Sequence, residues 1–210
     1  MKKYAVVPVA LLALLVLASC TKDPVSKLSS EETRIYITNH DSTTNFSNFK
    51  TFSISDSVAI ISDNHLQQKT HDAFDAVLIN AVADAMTQRG YTRVANDQHP
   101  SLGINVNNII NTYTGFVDYG NYYNDYLGYW DPYYWGYPGY NYYGSYIGTY
   151  QVNEGVISID MFDLQDAAAS GRIKSVWNGV VRGEAIFKEA NVAPSIKALF
   201  DQSPYLKSNL

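Results

Sequence analysis

The chain has 210 residues, a formal net charge of −5 and one cysteine. The length predicts a single domain of about 150 residues with additional segments. The acidic balance, without a basic stripe, argues against nucleic acid as a partner, and one cysteine excludes a disulfide within the chain.

The first twenty residues have the pattern of a bacterial lipoprotein signal peptide. Two lysines precede an apolar run that ends at Leu17, and small residues then lead into Cys20. The run is too short for a membrane span, which needs about 20 apolar residues. We therefore expect residues 1–19 to be removed. The thiol of Cys20 would then carry a diacylglycerol with palmitate-type chains, which anchors the chain to the outer membrane.

The next segment predicts a spacer between lipid and domain. Residues 20–33 are polar and include Pro24 and several serines and lysines, a composition typical of a flexible tether. One folded domain is expected over residues 34–206.

Alternating and helical spacings predict the elements of that domain. A first strand is expected over Ile35–Asn39, continuing after a bend through Phe49–Ile54. Residues 66–89 are expected to form a helix that ends at Arg89 and Gly90. Its predicted apolar stripe, which should pack on a sheet, consists of Phe74, Val77, Leu78, Ala81, Ala85 and Met86.

The second half predicts more strands and a last helix. After a short strand over Tyr91–Val94, a half-buried strand should begin at Leu102 and run toward Tyr113 with its asparagines facing solvent. Strands over Ile157–Phe162 and Lys174–Ile186 should follow, and Asn191 is the expected N-cap of the last helix. This order predicts an α+β fold with two layers, in which two helices pack on a largely antiparallel sheet that carries a long insertion.

Residues 113–150 are that insertion, and they are rich in tyrosine and glycine. They hold most of the 18 tyrosines and two of the 3 tryptophans, without lysine, arginine or glutamate between Phe116 and Gln151. Glycine and proline interrupt any regular helix, and the tyrosines do not alternate cleanly.

Three interpretations of the insertion stay open. It can be a surface loop packed against the sheet or itself, a surface that contacts envelope glycan or protein through stacking rings, or a segment for self-association. The candidate ligand-binding residues are Trp130, Tyr133, Tyr134, Trp135, Tyr137 and Tyr140.

No motif indicates an enzyme, a cofactor or a metal site. The four histidines are scattered without a metal-ligand spacing. Asp160, Asp163 and Asp166 recur every three residues but lack the glycine and closing glutamate of a calcium loop. We interpret them as turn and solvent-facing carboxylates.

Several short pieces, in order, resemble one family. They are residues 46–52, 89–91 followed by 100–104, 157–163, and 176–179, with a tyrosine- and glycine-rich insertion before the third. Together they resemble the bacterial lipoprotein family called domain of unknown function 4136. Asn45 stands where that family often has aspartate, and the link from Asp163 to Trp177 is long. The resemblance implies no established activity.

The sequence therefore predicts a non-enzymatic lipoprotein of the cell envelope with a structural or binding role. The alternative is a carbohydrate- or peptidoglycan-binding module that uses the aromatic residues of the insertion.

Overall fold

The computed structural model describes residue 29 and residues 31–62, 65–110, 114–118, 134–143, 147–151 and 155–209. The strands are β1 (Ile35–His40), β2 (Thr51–Ser62), β3 (His65–Thr70), β4 (Thr92–Arg93), β5 (Leu102–Ile109), β6 (Thr114–Asp118), β7 (Asn141–Tyr143), β8 (Ile147–Gln151), β9 (Val156–Asp163) and β10 (Arg172–Arg182). The helices are α1 (Ala73–Gln88), α2 (Ala167–Ser170) and α3 (Glu189–Asp201), with 3-10 turns at Phe46–Asn48 and Asn96–Gln98.

The main sheet has the strand order β1-β10-β9-β5-β2-β3, with β4 beside β2 and β7 beside β10. All neighbours along that order are antiparallel except β2 and β5. Strands β6 and β8 form a separate antiparallel pair. The predicted α+β class, with a largely antiparallel sheet and two long helices, is confirmed.

Each face of the sheet carries its own hydrophobic core. The larger core lies between the sheet and helices α1 and α3, and it includes Phe52, Leu78, Leu102, Trp177 and Leu199. We call the opposite side the insertion face. Its smaller core includes Ile61, Trp135, Phe162, Ile173 and Val180. The sheet is therefore buried on both sides, although alternation along its strands predicts only one buried face.

Helix α1 begins later than the sequence predicts. Residues 66–70 belong to β3, which forms a hairpin with β2 instead of a first helical turn. Asp72 is the N-cap, because its side chain accepts from the Asp75 amide while the Asp75 carboxylate accepts from the Asp72 amide. This reciprocal capping box fixes the start of the helix. The predicted end is confirmed, since Gly90 has a positive φ of 87°.

The buried face of α1 is also rotated from the predicted stripe. Leu78 and Met86 are buried as predicted, and Ile79, Val82 and the carboxylate of Asp75 join them. Val77, which was predicted to be core, is exposed. The side of α1 that carries Val77, Ala81 and Ala85 instead lines an open groove between α1 and α3.

Helices α1 and α3 run in the same direction. Near their starts, the rings of Phe74 and Phe187 meet edge to face with centroids 6.1 Å apart. At their ends, the Arg89 guanidinium donates to the carbonyl oxygens of Phe200, at 2.6 Å, and Ser203, at 3.1 Å. Arg89 thus adds a charged donor at the end of α3, to carbonyls that also accept the backbone amides of Ser203 and Leu206.

The start of α3 and the burial of β5 also differ from expectation. Helix α3 begins at Glu189, with Lys188 as its cap residue. Asn191 lies inside it and donates its side-chain amide to the Ala185 carbonyl. Strand β5, predicted to be half-buried, is buried along its whole length, because the insertion face is covered as well.

Candidate functional site

The described part of the tyrosine-rich insertion is pinned onto the insertion face. The Tyr134 hydroxyl donates to the Ile54 carbonyl at 3.3 Å and accepts from the Asp56 amide at 3.2 Å. The Asn96 side chain donates to the Tyr134 carbonyl at 2.8 Å. Beside it, Trp135 is only 3% exposed and belongs to the smaller core. This stretch is therefore part of the folded domain.

The six predicted ligand-binding residues fall into three groups. Trp130 and Tyr133 lie outside the described residues, as does Cys20. Trp135 packs in the core, so the expectation that its ring faces a ligand is corrected: Gly103, which has no side chain, leaves room for the indole on the sheet. The rings of Tyr134, Tyr137 and Tyr140 are half-buried.

Tyr137 and Tyr140 lie beside an open cleft at one corner of the sheet. Their ring centroids are 5.3 Å apart, and the Tyr137 hydroxyl donates to the Leu164 carbonyl at 3.1 Å. The cleft, which we call the edge cleft, has a volume of about 280 Å3. Its lining consists of Asp163, Asp166, Ala167, Ser170, Arg172 and Lys174. The lining therefore offers both acceptors and donors, and the two tyrosine rings pack against the smaller core next to it.

The fold builds the edge cleft from the connection between β9 and β10. The antiparallel register places Asp163 opposite Lys174, and β7 of the insertion pairs with β10 from Arg172 to Lys174. The Asp163 carboxylate accepts the Gln165 amide at 2.9 Å, which shapes the turn that follows. The one signal in the sequence was that the consecutive predicted strands Ile157–Phe162 and Lys174–Ile186 could pair and so bring their polar ends together.

Burial raises the pKa of two acidic groups, one in the cleft and one next to it. It raises the pKa of the Asp163 carboxyl above its ordinary value, and amide donors from Gln165 and Asp166 oppose the shift only in part. Burial also raises the pKa of the Tyr137 phenol, and nearby Tyr140 and Asp163 add to the effect. The cleft therefore holds a carboxyl that takes up a proton more readily than a free aspartate does.

Lys174 connects the edge cleft to the start of the domain. Its ammonium forms an ion pair with the buried Asp41 carboxylate, which also accepts from the Thr43 amide and the Thr43 and Thr44 hydroxyls. Burial alone would raise the pKa of Asp41. Lys174 and the threonine donors outweigh it and hold that pKa far below its usual value.

Replacing Lys174 by methionine should cost about 1–2 kcal/mol at pH 7, since it leaves a buried carboxylate without its cation. The folded-state pKa of Asp41 is depressed, so the pair stabilises the fold above the unfolded pKa of about 3.9 and loses this contribution as the pH falls further. Urea unfolding at pH 7 and at pH 3 should show the difference between wild type and Lys174→Met shrinking at the lower pH.

The exposed Lys188 provides the matched control. Lys188→Met should change the free energy of unfolding by less than about 0.5 kcal/mol at either pH. A Lys174→Met effect that is equal at pH 7 and pH 3 would contradict the assigned role of the ion pair.

A second polar group, the buried polar cluster, lies in the middle of the insertion face. It consists of Asn107 on β5, Ser158 and Asp160 on β9, and Asn178 on β10. Asp160 is fully buried, which corrects its prediction as a solvent-facing carboxylate. Its oxygens accept from Asn178 Nδ2 at 2.7 Å, Asn107 Nδ2 at 2.8 Å and Ser158 Oγ at 3.3 Å.

The Asp160 carboxylate fixes how the two amides are oriented. Turning either amide over would place its oxygen against a carboxylate oxygen, so both nitrogens face Asp160. Within the described part of the chain, Oδ1 of Asn107 and Oδ1 of Asn178 then have no hydrogen-bond partner. The described residues contain no group of three or more His, Cys, Asp or Glu side chains placed to hold a metal ion.

The sequence profile of the domain of unknown function DUF4136 matches residues 37–205. The chain belongs to the DUF4136 family. The resemblance seen in its short sequence pieces is thereby confirmed, and both the edge cleft and the buried polar cluster lie inside the matched region. No curated protein matches the chain.

A solved DUF4136 structure has the same fold. The crystal structure of a DUF4136 family protein from Bacteroides thetaiotaomicron is 27% identical, with a TM-score of 0.70, and the alignment covers 84% of this chain and 99% of that one. A PelC dodecamer from Paraburkholderia phytofirmans is 12% identical, with a TM-score of 0.41, covering 84% and 99%. A PDZ domain protein from Parabacteroides distasonis is 17% identical, with a TM-score of 0.42, covering 85% and 38%.

Proposed function

We propose that this DUF4136 chain is a lipid-anchored protein of the cell envelope with a non-enzymatic binding role. The pattern that ends at Cys20 supports the anchor, and the polar residues 20–33 support a tether to the domain. Within the described residues, no helix is long and apolar enough to cross a bilayer. In this proposal, the acyl chains on Cys20 hold the domain at the outer membrane.

The edge cleft is the observation that carries the binding role. Tyr137 and Tyr140 are held at its side by contacts within the fold, so their rings are already in place before any ligand arrives. Its volume of about 280 Å3 lies just under the range of about 300–1,000 Å3 that small-ligand sites occupy, so the cleft suits a small ligand or one ring of a longer one. A preformed site loses little ordering entropy on binding.

A carbohydrate is the candidate ligand class that the chemistry of the cleft favours. Tyrosine combines a flat apolar ring with a polar edge, which suits stacking on a sugar ring. Asp163 and Asp166 can accept from sugar hydroxyls, while Arg172 can donate to them. Peptidoglycan and envelope polysaccharides present such rings and hydroxyls in long repeats.

Two experiments test the separate parts of the proposal. Metabolic labelling with palmitate should mark the full chain, and a Cys20→Ser variant should lose both the label and sedimentation with membranes.

For binding, the soluble chain from Thr21 to Leu210 should be retained on purified peptidoglycan or envelope polysaccharide. The double variant Tyr140→Ala with Arg172→Ala should lower that affinity at least about tenfold, equivalent to about 1.4 kcal/mol.

The matched control changes two exposed residues of the groove between the helices, Asn80→Ala with Asp84→Ala. It should bind like wild type. If neither material retains the wild-type chain, the carbohydrate candidate is wrong and protein partners become the favoured class. If both double variants lose affinity equally, the edge cleft is not the site.

A further inference from the structure

Four large hydrophobic side chains are strongly exposed within the described part of the chain. Ile35 is 43% exposed, Val77 37%, Ile110 47% and Phe187 42%. Single exposed hydrophobic residues are ordinary on protein surfaces, and only their grouping carries information. Val77 on α1, Ile110 after β5 and Phe187 in the loop after β10 lie on the helix side at one end of the domain, whereas Ile35 on β1 shares the insertion face with Ile37.

Strand register places Ile35 and Ile110 at the same end of the sheet. Ile35 opposes Arg182, Arg182 opposes Val156, and Val156 opposes Ile109. These residues form a row across four neighbouring strands, which are about 4.8 Å apart. Ile110 directly follows this row, and its amide donates to the Ile61 carbonyl at 2.7 Å.

Phe187 joins that row to the helices. Its ring packs so closely over Gly155 that a Cβ there would lie 2.1 Å from a ring carbon. The opposite side of the ring meets Phe74 in the first turn of α1, and Val77 lies one turn further along that helix. We call the surface formed by Val77, Ile110 and Phe187 the tether-end patch.

The chain enters the domain at this patch. Ile35 is the first residue of β1, and the backbone of Thr33 and Arg34 lies against Gly183 in the loop that carries Phe187. The 14 residues 20–33 reach at most about 48 Å when extended, and their average span as a flexible chain is about 20 Å. A lipid on Cys20 would therefore keep the patch close to the bilayer surface.

We propose that the tether-end patch docks onto the bilayer that holds the anchor, at the boundary between headgroups and acyl chains. This inference rests on the proposed lipidation of Cys20. The tether makes docking an intramolecular step at high effective concentration, so a patch of three side chains can add a contact that would be too weak in an untethered domain. Partial burial of such side chains in the interface is the usual mode of peripheral contact.

The charges around the patch indicate an apolar contact. Arg34, Arg182 and Lys188 are offset by Glu184 and Glu189 in the same loop and helix start, and by Glu31 and Glu32 before β1. Docking should therefore occur on zwitterionic lipid and should change little with salt, unlike the binding of a polybasic segment.

The test uses the full lipidated chain in phosphatidylethanolamine vesicles that contain a nitroxide-labelled phosphatidylcholine. Because acylation occupies Cys20, a fluorophore can be attached at Glu184→Cys beside the patch. Gln202→Cys, beyond the far end of α3, is the matched control. Helix α3 has 13 residues and separates the two sites by about 20 Å. Nitroxide quenching should be at least threefold stronger at position 184.

The double variant Val77→Gln with Ile110→Thr should remove that difference while the chain still sediments with vesicles. Phe187→Gln alone should reduce it, and circular dichroism should report an unchanged fold for both variants.

Equal quenching at both positions in the sedimenting wild type overturns the docking proposal but leaves the anchor intact. A wild type that is not acylated overturns the anchor itself. A patch-dependent dimer in detergent, without quenching in vesicles, assigns the patch to a second copy and overturns membrane docking.

Discussion

Replacing Asp160 by alanine should destabilise the domain by about 3–5 kcal/mol. The carboxylate is fully buried and accepts hydrogen bonds from Asn107, Ser158 and Asn178. Bonds to a charged acceptor are worth about 1.5–3 kcal/mol each, and donors left unsatisfied in the interior add their own desolvation cost. The relief of no longer burying a charge offsets only part of this loss. Urea unfolding of the soluble chain measures it.

Asp166 supplies the matched control for that experiment. It is an aspartate of the same local sequence but is exposed, so Asp166→Ala should change the free energy of unfolding by less than about 0.5 kcal/mol. Equal effects of the two substitutions would mean that Asp160 is solvated, as the sequence alone predicts, and that the buried polar cluster does not form.

Replacing Trp135 by alanine should cost about 3–5 kcal/mol, the usual range for removing a large buried aromatic side chain. The indole is 3% exposed, packs in the smaller core, and meets the Tyr134 ring edge to face at 4.9 Å. A ligand-binding assay on Trp135→Ala would therefore report lost stability together with any lost contact. Thermal or urea unfolding should precede every binding measurement on this variant.

Tyr140→Ala separates the two roles. Its ring is half-buried beside the edge cleft, so we expect a stability loss of about 1 kcal/mol or less together with a loss of affinity for the ligand. If Trp135→Ala leaves stability unchanged, the indole lies at the surface and the original expectation of a contact residue is restored.

On the three central strands, alternation predicts one face correctly and leaves the other undecided. Alternation correctly separates Ile104, Ile157 and Ile159, which face the helices, from the polar residues between them. Alternation cannot tell whether the polar side of each strand faces water, because a segment distant in the sequence decides whether that side is covered. Trp135 comes from the insertion and covers the far face, so Asp160 and Asn107 become interior residues.

The edge cleft was missed for a related reason. Asp163 and Lys174 lie in separate strands, and only the pairing of β9 with β10 sets them opposite each other. Its aromatic side comes from Tyr137 and Tyr140, two of the six residues that composition had selected. Composition selected the segment, but only the packing decided which of its described rings lie in the core and which lie partly at the surface.

The start of α1 could not be predicted from local sequence either. Residues 66–72 are compatible with a helix by local propensity, yet 66–70 pair with β2 because a neighbouring strand offers backbone partners along its edge. The Asp72 capping box then starts the helix. That cap is a local signal in the sequence, whereas the strand before it is a tertiary outcome.

The sequence by itself determined the α+β class, the order of the main elements, the end of α1 at Arg89 and Gly90, and the membership of a family. These features follow from periodicity, capping residues and motifs, which act over a few neighbouring residues. Only the tertiary structure decided which polar residues are buried, which aromatic rings remain at the surface and where the exposed hydrophobic residues gather. Those outcomes depend on contacts between distant segments, since burial is a property of the assembled layers and of no single strand.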